Sequence, residues 1–324
     1  QTKSICPECN RIIDATIFEM DGKVYIGKTC PKHGYFEDLY FGSYSMYKRF
    51  ESYAQDGRGI LNPKIVSENI TCPASCGLCS NHLSHTALAN IVVTNRCDLN
   101  CWYCFFYAEK AGYIYEPTID QIRRMIRNML AERPISGVAV QLTGGEPTLR
   151  EDLVEIIRAI REEGVTHIQL NTDGINLSRK PELVKAVRDA GVNTLYVSFD
   201  GVTPKTNPKN YWEIPALLKN CREAKLGLVL VPTVIKGIND HEVGDMLRFA
   251  FLNMDIVRGI NYQPVSLVGR IPKRERERFR ITIPDVIEKI EEQTNGAVCA
   301  DDWFPVPAAM PFSRFIEAWT GQLK

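Results

Sequence analysis

The sequence of 324 residues has no excess of either charge, with Lys+Arg and Asp+Glu at 39 each. Such a chain has no global field to hold nucleic acid or an anionic surface, so nucleic acid is not expected as a partner. Long apolar runs are also missing. The longest, Leu226 to Ile235, is broken by Pro232 and reaches about half of the ~20 residues a membrane span needs. The first residues, QTKSICPECN, hold neither the charged n-region nor the apolar h-region of a secretory signal, which predicts a cytoplasmic protein. They also lack an initiating Met, which predicts a chain that starts inside a longer gene product. With 44% hydrophobic and 24% charged residues, disorder and collagen-like structure are excluded, and one large or two modest globular domains are expected.

Cysteine is what the sequence has in number. Nine of its 11 cysteines fall in three groups: Cys6 and Cys9 with Cys30; Cys72, Cys76 and Cys79; and Cys97, Cys101 and Cys104. Cysteines two or three residues apart make poor cross-links but can aim their thiolates at one metal centre. Cys221 and Cys299 stand alone and read as buried free thiols.

Residues 1–45 contain two half-sites, CPEC and CPKH, separated by an apolar-polar alternation around Asp21-Gly22 that reads as a β-hairpin. This is a zinc-ribbon or rubredoxin pattern, in which Cys6, Cys9, Cys30 and His33 close a tetrahedral structural site for one zinc or iron ion. Residues 46–87 read as an irregular linker with the second cysteine group. Over residues 88–270, β-rich runs such as ANIVVTN, VAVQL, IQLNT and LYVSF alternate with amphipathic segments. Six such βα units predict a parallel sheet, either a partial barrel or a doubly wound sheet, with the chemistry at the carboxyl ends of the strands. RIPKRERERFR at 270–280, leading into the C-terminal segment 271–324, is the one charge run and reads as a solvated helix face.

Directly after the first of these strands comes Cys97-x3-Cys101-x2-Cys104. Three thiolates bind three irons of a 4Fe-4S cube and leave the fourth iron open. The second strand ends in Thr143-Gly144-Gly145-Glu146-Pro147, where the glycines permit close backbone approach to a ligand and Glu146 can accept a hydrogen bond from an ammonium. Later strands end in Asn171-Thr172-Asp173, Ser198-Phe199-Asp200 and Thr233-Val234; for each of these the plain alternative is a cap or turn. The cysteine motif, with Tyr103 before its last cysteine, and GGEP together resemble the radical S-adenosylmethionine (SAM) superfamily.

That resemblance implies a partial (β/α)6 barrel carrying a small metal-binding hairpin domain and an irregular iron-sulfur segment. It implies a catalytic cluster on Cys97, Cys101 and Cys104 whose open iron chelates SAM, and reductive cleavage of SAM to a 5′-deoxyadenosyl radical. Tyr103, Gly144, Gly145 and Glu146 would contact SAM. Asn171 or Thr172, and Ser198 with Asp200, would serve its ribose and carboxylate, and Val234 to Gly237 its adenine. Cys72-x3-Cys76-x2-Cys79 resembles an auxiliary 4Fe-4S cluster, with a zinc site as the alternative. Its fourth ligand is open between His82, His85, Cys299, a cysteine outside the chain and the substrate.

The CPEC…CPKH ribbon, CPASCGLC, CDLNCWYC and LTGGEPTLR together, with FDG at 199–201 and DWFPVP at 302–307, are similar to a narrower archaeal and bacterial group that contains tetraether lipid synthase. This implies coupling of the unactivated terminal methyl carbons of diether phospholipid tails, with the first radical waiting on the auxiliary cluster. It also implies a reductase or ferredoxin as electron donor, peripheral membrane contact and an anaerobic organism. Relatives in that group continue well beyond DWFPVP, so a truncated chain is expected. The first alternative is a radical SAM C-methyltransferase acting on a pterin, a methanopterin precursor. The second is a non-catalytic zinc and iron-sulfur module, against which GGEP and the polar strand ends argue.

Overall fold

The computed structural model describes residues 1–64, 79–80, 82–104, 106, 111–267 and 273–321. Strands β1 (Thr2–Ile5), β2 (Ile12–Met20), β3 (Lys23–Cys30) and β4 (Gly34–Phe41) form an antiparallel sheet in that order. Asp21 and Gly22 turn β2 into β3 with φ of 52° and 73°, the pair of left-handed conformations that a two-residue hairpin demands. The expected hairpin is thus the centre of a four-stranded sheet. Helix α1 (Tyr44–Glu51) follows, begun by the Ser43 hydroxyl, which accepts the Met46 N–H at 3.4 Å. It crosses the boundary expected at residue 45, and the stretch expected to be irregular opens as a helix.

The main sheet is parallel and six-stranded: β5 (Ala89–Thr94), β6 (Ala139–Gly144), β7 (His167–Thr172), β8 (Thr194–Ser198), β9 (Leu228–Val231) and, past the short β10 (Thr233–Val234), β11 (Val257–Ile260). Each new strand lies beside the one before it, and the order never reverses. A doubly wound sheet reverses its order at a switch point; this one winds as a partial barrel. A final short strand, β12 (Gln263–Pro264), pairs with β10.

The covering helices are α2 (Ile119–Leu130), α3 (Leu153–Glu162), α4 (Ile175–Arg179), α5 (Pro181–Ala190), α6 (Ile214–Ala224) and α7 (Val243–Leu252). In α2, Thr118 and Gln121 form a reciprocal cap, and Ile122, Ile126 and Met129 fall on one face at helical spacing. They pack with Ile156, Ile157 and Ile160 of α3 against Val140, Leu142, Ile168, Leu170, Leu195 and Val197 of the strands. Each such buried side chain contributes roughly 1.5–3 kcal/mol. The alternate strand positions, Gln141, Gln169, Asn171, Tyr196 and Ser198, are only half-buried, so the period of two gives the sheet a second, polar face.

Helices α8 (Lys273–Phe279), α9 (Ile283–Gln293) and α10 (Met310–Thr320) complete the described residues. The expected charged helix is α8. Val286 and Ile290 of α9 join Val234, Val243 and Ile281 in a second apolar cluster. Among the described residues, no helix is long and apolar enough to cross a membrane.

Candidate active site and N-terminal metal centre

Cys6, Cys9, Cys30 and His33 come together as expected, with their ligand atoms all within 4.8 Å of one another. The His33 Nδ1 is 3.5 Å from the thiols of both Cys6 and Cys30, and Cys9 and Cys30 are 3.9 Å apart at sulfur. Tetrahedral zinc with ordinary Zn–S and Zn–N bonds spaces its ligands by about 3.6 Å (N to S) and about 3.8 Å (S to S), so the four fit one ion. The Lys32 backbone N–H, then the His33 ring and backbone, hold the Cys30 thiol down to about 6, close to the thiolate that a metal requires.

Cys97, Cys101 and Cys104 lie on the loop that leaves the carboxyl end of β5, unpaired by any disulfide. Among the described residues they do not close onto one point as the N-terminal four do, which suits ligands of separate irons. Burial pushes the Cys97 thiol up to about 12, with Asp173, Glu146 and Asp98 adding to it. Of the auxiliary group, Cys72 and Cys76 lie outside the described residues. Cys79 is buried, and its thiol is 3.5 Å from the Nδ1 of His82, one of the candidate fourth ligands.

Gly144 and Gly145 make close approaches to the chain's own backbone. The Gly145 N–H donates to the Thr94 carbonyl at 2.8 Å, and the Glu146 N–H to the Arg96 carbonyl at 2.7 Å. A Cβ on Gly144 would stand 2.0 Å from the Thr94 oxygen, and one on Gly145 2.0 Å from the Arg96 oxygen. The glycines therefore bring the GGEP turn onto the backbone of the cysteine loop itself.

Glu146 is buried and well supplied with donors. Its Oε1 accepts from the Thr148 N–H (2.9 Å), the Thr148 hydroxyl (2.7 Å) and the Thr172 hydroxyl (2.8 Å), and its Oε2 from the Asp173 N–H (2.7 Å). Thr172 is thereby committed to Glu146. Asn171 reaches the Thr143 hydroxyl at 3.3 Å from the half-buried face of β7. Asp173, named in the sequence as part of a polar strand end but given no contact, has Oδ1 on the Ile175 N–H, while Oδ2 is buried without a partner. Burial, then the Glu146 charge, push its carboxyl up to about 9.

Asp200, at the carboxyl end of β8, takes the Tyr103 hydroxyl at 2.5 Å and the Lys209 ammonium at 2.8 Å on Oδ2, and the Thr233 N–H at 2.9 Å on Oδ1. Lys209 and Asn210 belong to a segment between β8 and α6 that sequence reasoning did not single out. The Asn210 amide donates to the carbonyls of Asp173 (2.6 Å) and Ser198 (2.8 Å), closing that segment over two strand ends. Val234 is fully buried in the cluster against α9. A cavity of about 490 Å³ opens beside the cysteine loop, lined by Asn95, Arg96, Cys97, Asp98, Tyr113, Ile114 and Leu149 among others.

Residues 91–250 match the model of the Radical SAM superfamily, and residues 1–42 that of the HMPTM N-terminal zinc ribbon domain. A Methanocaldococcus jannaschii protein named 7,8-dihydro-6-hydroxymethylpterin dimethyltransferase is 45% identical over 330 aligned residues, covering 100% of this chain and 64% of that protein. This chain therefore spans less than two thirds of that relative. The GTP 3′,8-cyclase of Aquifex aeolicus is 32% identical over 193 residues, 55% of this chain and 57% of that enzyme. Among solved structures, HydG, a maturase of the FeFe-hydrogenase, superposes with a TM-score of 0.51 at 16% identity, over 64% of this chain and 50% of its own, which speaks for the fold alone. The expectation of lipid-tail coupling, with its diether phospholipid substrate, is overturned: the similarity that runs through the whole chain is to a protein named for a pterin. The motifs that suggested lipid build the shared barrel and metal sites, and these do not select a substrate.

Proposed function

We propose that this chain, whose residues 91–250 match the model of the Radical SAM superfamily, is a radical SAM methyltransferase acting on a pterin, the hydroxymethyl-dihydropterin class. The observation that carries this is the 45% identity, along the entire chain, to a protein of that name. A 4Fe-4S cluster with SAM supplies, when bound, radical chemistry at a carbon that no side chain is basic enough to deprotonate.

The chain's own residues have these roles. Cys97, Cys101 and Cys104 offer three soft thiolates on one loop, and the GGEP turn fixes that loop through the Thr94 and Arg96 carbonyls. Asp173 Oδ2 is buried beside Glu146 without a partner; its raised carboxyl holds a proton in the ligand-free chain, and an ammonium or sulfonium, both of which SAM carries, would favour release of that proton and pair with the carboxylate. Asp200 holds Tyr103 against the mouth of the barrel. The cavity of about 490 Å³ falls in the range of small-molecule sites and has room for a flat heterocycle. Electron delivery requires a low-potential donor protein.

The test is anaerobic. The reconstituted protein is given SAM, a reductant and 7,8-dihydro-6-hydroxymethylpterin, and the pterin is followed by mass spectrometry, with methyl-labelled SAM in a parallel run to trace the carbon. Pterin gaining one or two methyl groups supports the reading. Cleaved SAM beside an unchanged pterin overturns it and leaves the superfamily assignment standing.

A further inference from the structure

Lys209 is a cation where packing alone gives no reason for one. Its side chain is 11% exposed and that of its partner Asp200 7%, with 2.8 Å between ammonium and carboxylate. The ammonium also stands 5.0 Å from the centre of the Tyr103 ring, within cation–π range. A buried ion pair of this kind seldom stabilises a fold better than apolar residues of the same volume would. Burial works to depress the ammonium, and Asp200, ahead of Tyr103 and Cys101, outweighs it, so the group stays charged.

The ring beneath that ammonium belongs to Tyr103, which stands between Cys101 and Cys104 in the chain, so the charge is placed beside the loop that carries the three thiols.

We propose that Lys209 is a fixed counter-charge for the iron-sulfur cluster of Cys97, Cys101 and Cys104, positioned by Asp200 and Tyr103, and that it eases one-electron reduction of that cluster. This rests on the radical SAM reading, which puts the cluster on these cysteines. The step takes one electron from a low-potential one-electron donor into the oxidised cluster; no bond breaks and no proton moves. The cluster unit gains one negative charge, and a nearby cation shielded from water favours the product. Lys209 acts through the field alone and touches neither substrate nor the reacting carbon.

The experiment uses the reconstituted full chain without SAM, counts iron and sulfide, and titrates the cluster with dithionite under electron paramagnetic resonance. The signal followed is the one missing from a variant with all three loop cysteines changed to alanine. Lys209→Met is expected to load the same iron but to show, at the potential that half-reduces the parent, a tenfold lower ratio of reduced to oxidised cluster, about 59 mV. Lys209→Arg keeps the parent potential because the charge is retained. A fully loaded Lys209→Met with the parent's potential overturns the proposal. Should that variant fail to load, Lys209→Gln is read in its place, and a parent potential in the loaded Lys209→Gln protein overturns the proposal equally. A triple-cysteine variant that loses no signal overturns the cluster assignment instead, which separates the two failures.

Discussion

The backbone carbonyl of Arg96 accepts the Glu146 N–H at 2.7 Å and lies where a side chain on Gly145 would begin. Gly145→Ala must therefore push the Arg96 carbonyl, and with it Cys97, out of place. Overpacking of this kind costs about 1–3 kcal/mol. The variant is expected to melt lower than the parent and to bind less than half of its loop-cluster iron, read by iron analysis after reconstitution. A parent-like iron count would show that the loop tolerates the shift.

Glu146 can be tested apart from any ligand. All four hydrogen bonds it accepts come from the protein, so Glu146→Gln turns an amide NH2 toward donors. The mismatch leaves buried groups unsatisfied at about 1–3 kcal/mol. Urea unfolding of the metal-reconstituted protein should detect that loss in the absence of SAM.

Asp173 gives a pH signature. Its carboxyl titrates at about 9 in the folded chain against 3.8 for the ordinary group, so between these values the folded state holds a proton that the unfolded state has released. Stability from this group is full below the lower value and falls as pH rises through the higher one. Urea midpoints of the cluster-free protein should decline from neutral pH toward pH of about 9, and Asp173→Asn should flatten that decline. An unchanged slope in the variant would assign it to other groups.

The N-terminal ion should hold its sheet together. Cys6 and Cys30 are buried beneath that site with only Ile13 and the partly buried Phe36 in their apolar cluster, too small a core to fold without a staple. A chelator, or Cys30→Ser, is expected to release one metal ion per chain and to expose the amides of β1–β4 to hydrogen exchange. Protection of the β6 and β7 amides should remain.

Much of the site was legible because its chemistry is local in sequence. Cys97, Cys101 and Cys104 share one loop, and CPEC with CPKH brackets a hairpin whose turn residues declare themselves. The amphipathic segments expected between the strands are helices such as Ile214–Ala224 and Val243–Leu252, since apolar residues at helical spacing need no tertiary context to be seen. Lys209 and Asn210 were not legible. TPKTNPKNYW reads as a polar loop; Thr206, Asn207 and Asn210 are nevertheless buried, with Asn210 tying the segment across the ends of β7 and β8. Helix α9 did carry a signal, Thr282 three residues before Asp285 with apolar residues behind, but attention to βα alternation passed over it. The glycine pair was recognised as a close approach, but its packing on the Thr94 and Arg96 carbonyls was not, because a sequence shows that space is needed without showing what fills it. Substrate was the least legible: a motif set shared by relatives describes the engine of the reaction, whereas the molecule acted on is chosen elsewhere.

The same Thr282 hydroxyl that starts α9 also accepts the Gly42 N–H at 3.1 Å, at the end of the N-terminal sheet, and Arg280 reaches the Leu39 carbonyl and the Asp38 carboxylate at 3.3 Å each. Two stretches of chain 240 positions apart thus meet at one seam. Helix α9 packs in turn on Val234 at the rim of the barrel. A disturbance of the ribbon's metal site thus has a short path to the barrel, through the hinge-like pair Arg280 and Thr282 to the helix that leans on Val234.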